Sequence, residues 1–268
     1  MARVSTSARR KLGAARRRAK STRATVDYFR RGYRFARGLE APIEALPTQR
    51  TEERGELEAY FDGHTEGPGI WKWQHFFDIY DRHLGRLRGR PVQVVEIGVF
   101  NGGSLEMWSH YFGPQAHICG VDINPSCTRF AREGIEIAIG DQGDPAFWQA
   151  FLRGRPAPDV VIEDGGHAPE QQVVTLECLL PSIRPGGVYL SEDLHGSDQP
   201  FHAFLDGLQR PLNDIAWPHD VTPTSGLHRQ VASIHRYPLI AVIEKPTWCP
   251  PAFEAPMQGS EWENRTLQ

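Results

Sequence analysis

Five short apolar runs punctuate the middle of the chain: VQVVEI (92–97), HICGVD (117–122), IEIAI (135–139), DVVIE (159–163) and GVYLS (187–191). Each is continuous rather than strictly alternating, the pattern of a strand whose two faces are both covered. Between them, helical spacing predicts helices near 103–112, 126–133, 144–153 and 168–182. Upstream, Trp73, Phe76, Phe77, Tyr80, Leu84 and Leu87 recur at the same period and predict a helix over Trp73–Leu87. A strand–helix alternation of this kind, wound in right-handed crossovers, makes a doubly wound parallel sheet. The last two strand-like runs, RQVASIH (229–235) and LIAVIEK (239–245), are separated only by Arg236, Tyr237 and Pro238. Three residues hold no crossover helix, so these two strands form an antiparallel hairpin. The predicted fold is therefore α/β, a doubly wound and mostly parallel seven-stranded sheet that ends in an antiparallel hairpin.

In such sheets ligands bind beyond the carboxyl ends of the strands, and the residues there carry the chemistry. The first strand runs into Glu96-Ile97-Gly98-Val99-Phe100-Asn101-Gly102-Gly103-Ser104. Gly98 and Gly102 permit a tight turn close to a ligand, but the spacing is not the GxGxxG that seats a pyrophosphate. An acid at this strand end, Glu96, suits a ligand bearing cations and hydroxyls, and S-adenosylmethionine has an ammonium, a sulfonium and no phosphate. A nicotinamide dehydrogenase is disfavoured for the same reason. Asp122, ending the second strand, is placed to accept ribose hydroxyls. Asp141 and Gln142, after the third, offer a carboxylate and an amide to an adenine edge, with the role given to Asp141. Asp144, ahead of Pro145, reads instead as a helix cap.

The fourth and fifth strands deliver Asp164-Gly165-Gly166-His167 and Glu192-Asp193-Leu194-His195 to the same crevice. Three unpaired carboxylates, Asp164, Glu192 and Asp193, would repel one another, and a divalent cation removes that conflict. Oxygen ligands without cysteine point to Mg²⁺ or a similar hard ion. An ion there could chelate neighbouring hydroxyls and lower the pKa of one of them. His167 is the candidate base, with His195 second. Each of these residues taken singly is as well explained as a cap or a solvated side chain. Their concurrence at two adjacent strand ends favours the site.

The segments VVEIGVFNGGSLEMWSHYF, GVDIN and GDQGDPAFW resemble the successive cofactor motifs of class I S-adenosylmethionine-dependent methyltransferases, Rossmann-like proteins, across roughly residues 60–245. The pattern D-G-x-H followed by P-G-G-x-Y-x-x-E-D resembles the metal-dependent sugar O-methyltransferases of macrolide biosynthesis. So does the lead-in Gly63-His64-Thr65 … Trp73-Gln74-His75-Phe76-Phe77-Asp78-Ile79-Tyr80. The resemblance implies Mg²⁺ ligands at Asp164, Glu192 and Asp193, a base at His167, and S-adenosylmethionine bound by Glu96, Gly98, Gly102, Ser104, Asp122, Asp141 and Gln142. It implies an O-methyltransferase whose acceptor is a sugar hydroxyl on a natural product or glycan. Gly166 departs from the serine usual in that family. The extra N-terminal domain of its larger members is also missing from this sequence.

Charge adds one feature. Residues 1–40 hold thirteen Lys and Arg against two acids, Asp27 and Glu40, whereas the whole chain has a net charge of −3. A basic arm therefore precedes an acidic body. Val26, Phe29, Tyr33 and Ala36 give part of the arm amphipathic helical spacing. The expected organisation is a basic arm and linker over 1–50, disordered or helical, the methyltransferase domain over 51–248 and a loose tail over 249–268. A solubilising role for the arm is favoured over contact with nucleic acid or a membrane surface. Two alternatives remain: an RNA methyltransferase held to its substrate by the arm, disfavoured by the acidic body, and a non-catalytic binding module. A homo-oligomer stays open. Cys119, Cys127, Cys178 and Cys249 form no CxxC pair and suggest neither zinc nor disulfides. With no apolar run of membrane-spanning length and no secretory signal, a cytoplasmic protein is expected. Trp217, in the loop-like stretch 194–228 with its histidines, is a candidate for stacking on an acceptor or for a small satellite core.

Overall fold

The computed structural model describes residues 24–39, 54–214, 222–256 and 258. The expectations for residues 1–23, for the 41–50 linker, for Trp217 and His219 and for the end of the tail fall outside them. The chain divides into two compact units, 1–53 and 54–268. In the first, a helix (α1) spans 24–37. Among the described residues no helix is long and apolar enough to cross a membrane.

The second unit opens with α2 (Glu56–Gly63) and α3 (Phe76–Leu84). There follow β1 (Gln93–Ile97), α4 (Gly103–Phe112), β2 (His117–Asp122), β3 (Ile135–Ile139), α5 (Pro145–Leu152), β4 (Val160–Glu163), α6 (Pro169–Leu179), β5 (Val188–Ser191) and α7 (Pro200–Gln209). The antiparallel strands β7 (Ser233–Tyr237) and β8 (Ile240–Glu244) complete a seven-stranded sheet in the order β3-β2-β1-β4-β5-β8-β7. The order reverses between β1 and β4, where the crevice of a doubly wound sheet opens. Two short strands, β6 (Thr222–Pro223) and β9 (Ala252–Phe253), pair separately, so the start of the expected loose tail is ordered against the body.

Strand periodicity explains why the runs read as unbroken apolar stretches. In β5, Val188 and Leu190 face one core and Tyr189 the other; in β8, Ile240 and Val242 face the first and Ala241 and Ile243 the second. α3 and α4 cover the first face through Phe77, Tyr80, Met107 and Trp108, and α5, α6 and α7 cover the second through Trp148, Leu176 and Phe201. With helices on both sides, neither strand face can be polar.

Two boundaries differ from expectation. The stretch 126–133 is no α-helix but a 3₁₀ segment, Pro125–Phe130, started by the Asn124 side chain, which accepts from the Ser126 amide (3.0 Å). It is too short for a second α-turn, and Phe130 instead closes over Gly102. The hairpin turns at Pro238-Leu239, because Tyr237 pairs with Ile240. Leu239 takes φ +65°. Asp144 caps α5 as expected, accepting from the Ala146 amide (2.8 Å).

Candidate active site

The carboxyl ends of β1, β2, β4 and β5 open into one cavity of about 450 Å³. Its floor is the turn after β1. Gly98 sits at φ +91°, and a Cβ there would collide with the carbonyl of Asp164. The close approach of the β1 and β4 turns thus demands glycine. Gly98→Ala should cost about 1–3 kcal/mol of stability through left-handed strain alone and weaken ligand binding. Thermal unfolding and calorimetric titration check it, and a wild-type melting point would contradict the assignment.

Of the residues picked out for the cofactor, Gly98, Ser104, Asp122, Asp141 and Gln142 line this cavity. Asp122 is held rigidly: Oδ2 accepts from the amides of Val99 (2.9 Å) and Phe100 (3.2 Å), and Oδ1 from that of Asn124 (2.8 Å). Its carboxylate therefore ties the β2 end to the β1 turn, at the edge of the cavity it lines. Asp141 Oδ1 accepts from the Gly143 amide (2.8 Å).

Two placements differ from the sequence reading. Glu96 is fully buried and lies outside the cavity lining. It accepts from Ser104 Oγ (2.9 Å) and Trp108 Nε1 (2.9 Å), fastening α4 to β1. Its position one residue short of the strand end points the carboxylate under the turn rather than into it. Burial pushes its carboxyl up to about 7, against the pull of Lys72 and the Trp108 donor. Gly102 caps α4 at φ +79° beneath Phe130 and does not line the cavity. Gln142 reaches the cavity wall and at the same time braces the β4 turn: Nε2 donates to Glu163 Oε1 (2.9 Å) and Oε1 accepts from the Gly166 amide (2.8 Å).

On the opposite wall, Asp164, His167 and Asp193 offer ligand atoms within 4.8 Å of one another. His167 Nε2 stands 3.7 Å from Asp193 Oδ2, and its Nδ1 is buried without a hydrogen-bond partner among the described residues. Gln199 Nε2 donates to the His167 carbonyl (3.2 Å) and steadies that turn. Phe100 (φ +49°), His167 (φ +55°) and Asp193 (φ +54°) all adopt left-handed backbone, and all three line the cavity. Strain of about 1 kcal/mol or more apiece is tolerated where the surroundings enforce it, as at functional sites. Gly166 abuts the Gln171 amide, so a serine Cβ there would press on that side chain.

Glu192 lines the cavity as well but stands outside the cluster of Asp164, His167 and Asp193. Its carboxylate turns inward, accepting from Tyr80 Oη (2.7 Å) and Lys72 Nζ (2.9 Å). His195 stands 3.8 Å from Asp193 on the exposed side. His202 and His228 serve elsewhere, beside Arg236 and against Ser225.

Lys72 is the residue the sequence reading missed. Its buried ammonium lies 2.5 Å from Asp164 Oδ2, 2.9 Å from Glu192 Oε2 and 3.8 Å from Glu96 Oε1. Burial alone would favour the neutral amine; the carboxylates, Asp164 foremost, outweigh it and hold the ammonium above its ordinary pKa. The adjoining Trp73 donates from Nε1 to Asp193 Oδ1 (2.7 Å). The signal was present as a lone lysine inside Ile70-Trp71-Lys72-Trp73, a cation in an aromatic run that an acidic site would draw inward. The acids thus have an internal counter-ion, although one ammonium does not balance four carboxyl groups.

A sheet of this order, parallel until a closing antiparallel pair, with a glycine turn after β1 and an acid ending β2, is the class I methyltransferase fold. No family model matches the chain. It is 33% identical over 222 residues to demethylmacrocin O-methyltransferase of Streptomyces fradiae, covering 71% of this chain and 55% of that protein. It is 31% identical over 253 residues to mycinamicin VI 2''-O-methyltransferase of Micromonospora griseorubida, covering 83% and 62%. Among solved structures, the MycE methyltransferase of the mycinamycin biosynthetic pathway, in complex with Mg, SAH and mycinamycin VI, aligns with a TM-score of 0.61 at 28% identity. That alignment covers 72% of this chain and 54% of the other. The chain therefore resembles macrolide sugar O-methyltransferases in sequence and fold, and it spans little more than half the length of these relatives.

Proposed function

We propose that the protein is an S-adenosylmethionine-dependent, Mg²⁺-dependent O-methyltransferase acting on a sugar hydroxyl of a natural product or glycan. The observation that carries this reading is the convergence of Asp164, His167 and Asp193 on one side of a cavity whose other side is the β1 glycine turn and Asp122. The relatives named above, as O-methyltransferases with Mg and SAH in the solved MycE complex, support it.

The donor set fits a hard cation: carboxylates from two separate strand ends, Asp164 and Asp193, that meet beside His167, with Lys72 on one oxygen of Asp164 and the other left over. Asp164 and Asp193 would hold it, with Glu192 behind them on Tyr80 and Lys72. Such an ion supplies Lewis acidity that lowers the pKa of a bound hydroxyl. The donor molecule would lie over Gly98, with Asp122 accepting from the ribose and Asp141 from the adenine. His167 Nε2 would take the proton of the attacking hydroxyl, and Asp193 beside it would stabilise the imidazolium. Trp71, Phe100 and Ile123 stand exposed at the cavity rim (86%, 67% and 66%). These surfaces suit an acceptor that joins a sugar to an apolar scaffold.

The test is methyl transfer from S-adenosylmethionine to glycosylated macrolides, with Mg²⁺ or with EDTA, alongside calorimetric titration with S-adenosylhomocysteine. Turnover should require the ion, and S-adenosylhomocysteine should bind in either buffer. Equal turnover in EDTA would remove the metal from the mechanism; no binding of S-adenosylhomocysteine would remove the cofactor.

A further inference from the structure

A second cluster of metal-ligating side chains lies away from the cavity, where α3 crosses the hairpin that closes the sheet. His83 of α3, His235 of β7 and Glu244 of β8 place one ligand atom each within 4.8 Å of one another. None of the three lines the cavity. We propose that these residues form a binding site for a borderline divalent cation of the Zn²⁺ or Co²⁺ type, clamping α3 to the edge of the sheet.

The topology sets up the cluster. In the β7–β8 register Ser233 pairs with Glu244. His235, two residues further along β7, projects from the same face as Ser233 and lies diagonal to Glu244. His83, almost wholly buried, comes down on that face from the last turn of α3. The Glu244 carboxylate ends up between the two imidazoles: Oε1 is 3.0 Å from His83 Nδ1 and Oε2 is 3.4 Å from His235 Nε2. Bonds of about 2.0–2.1 Å in a tetrahedral site put ligand atoms about 3.3 Å apart. The two imidazole nitrogens already stand near this spacing from the carboxylate, each from a different oxygen, so a cation bound through one oxygen needs only a turn of the Glu244 carboxylate.

The donor chemistry selects the ion. Two imidazoles and one carboxylate suit zinc-like cations and are poor ligands for Mg²⁺, which prefers oxygen throughout. The supporting shell is present as well. The Tyr237 hydroxyl lies 2.9 Å from His83 Nε2, and Ser233 Oγ donates to Glu244 Oε2 (3.0 Å), whereas its contact with His235 Nε2 (3.0 Å) is the one a cation would replace. With Nδ1 on a cation, the His83 proton moves to Nε2 and is donated to Tyr237, which can accept or donate without moving. Three protein ligands leave a fourth position for water.

The clamp also touches the candidate active site indirectly. Tyr80, which holds Glu192, sits on α3 one turn before His83. An ion at His83 would stiffen the helix that carries it.

The test uses the full chain in excess Mg²⁺, which occupies any hard-ion site first, titrated with Co²⁺ by visible absorption and with Zn²⁺ by calorimetry. The expected result is one equivalent bound with the intense absorption of tetrahedral Co²⁺, and a rise in Tm with Zn²⁺. Half-exposed His235 can be changed without disturbing the core: H235Q should keep the metal-free Tm and lose both signals. Glu244→Gln should lose them too, and Tyr237→Phe should weaken binding by about 10–100-fold. D193N should leave them intact. The proposal is overturned by the absence of a bound equivalent, by binding that survives H235Q and E244Q, or by binding that disappears in D193N, which would place the ion at the acids of the cavity.

Discussion

Replacing His167 by alanine should lower kcat by about 10²–10⁴, the usual contribution of a positioned general base, while affinity for S-adenosylhomocysteine stays at the wild-type level. Three features make this residue the sensitive one. Its imidazole shares a cavity wall with Asp164 and Asp193. Its backbone is held at φ +55°, with the carbonyl anchored by Gln199. Its Nδ1 is buried without a partner among the described residues, so Nε2, beside Asp193, is the nitrogen placed to exchange a proton. Single-turnover measurement of methyl transfer separates loss of chemistry from loss of binding. A variant that turns over at the wild-type rate would shift the base to His195, 3.8 Å from the same aspartate.

Lys72→Met should have the largest effect on stability. The methionine fills the volume of the stem but leaves Glu192, Glu96 and Asp164 facing one another without a counter-ion. Breaking a buried ion pair from one side costs about 3–5 kcal/mol, which for a domain of this size lowers Tm by roughly 6–20 °C. Adding E192Q to K72M should recover part of the loss, because an amide can still accept from Tyr80 and carries no charge to bury. If the double variant is no more stable than the single one, Lys72 acts through packing and not through the acids. Mg²⁺ gives a further reading. If Asp164 and Asp193 hold the ion, its addition should raise the Tm of K72M by more than that of the wild type, since it then supplies charge the lysine no longer does.

Gly98 and Glu96, two residues apart on one strand end, mark how far local pattern reaches. The glycine was legible because only backbone demands placed it there. The glutamate was assigned to the ligand by its proximity to the turn. The structure buries it under Ser104 and Trp108, since a pleated strand sends neighbouring side chains to opposite faces and it is Ile97, the next residue, that lines the cavity. Gln142 shows the same ambiguity: a polar side chain at a strand end signals the crevice equally well whether it meets a ligand or braces a neighbouring turn. The 126–133 stretch carried helix-like residues, but between β2 and β3 it folds as a 3₁₀ segment, Pro125–Phe130, set off by the Asn124 cap.

What the sequence determined by itself is the layered α/β fold, its sheet of parallel strands closing in a hairpin, and the strand ends at which chemistry collects. Those follow from periodicity and turn residues, which are local. Only the tertiary structure decided which acids face one another and what neutralises them. Lys72 meets Asp164 across 92 residues and Glu192 across 120, and His83 meets Glu244 across 161. Contacts at such separations depend on where whole elements pack, and no spacing within a single segment encodes them.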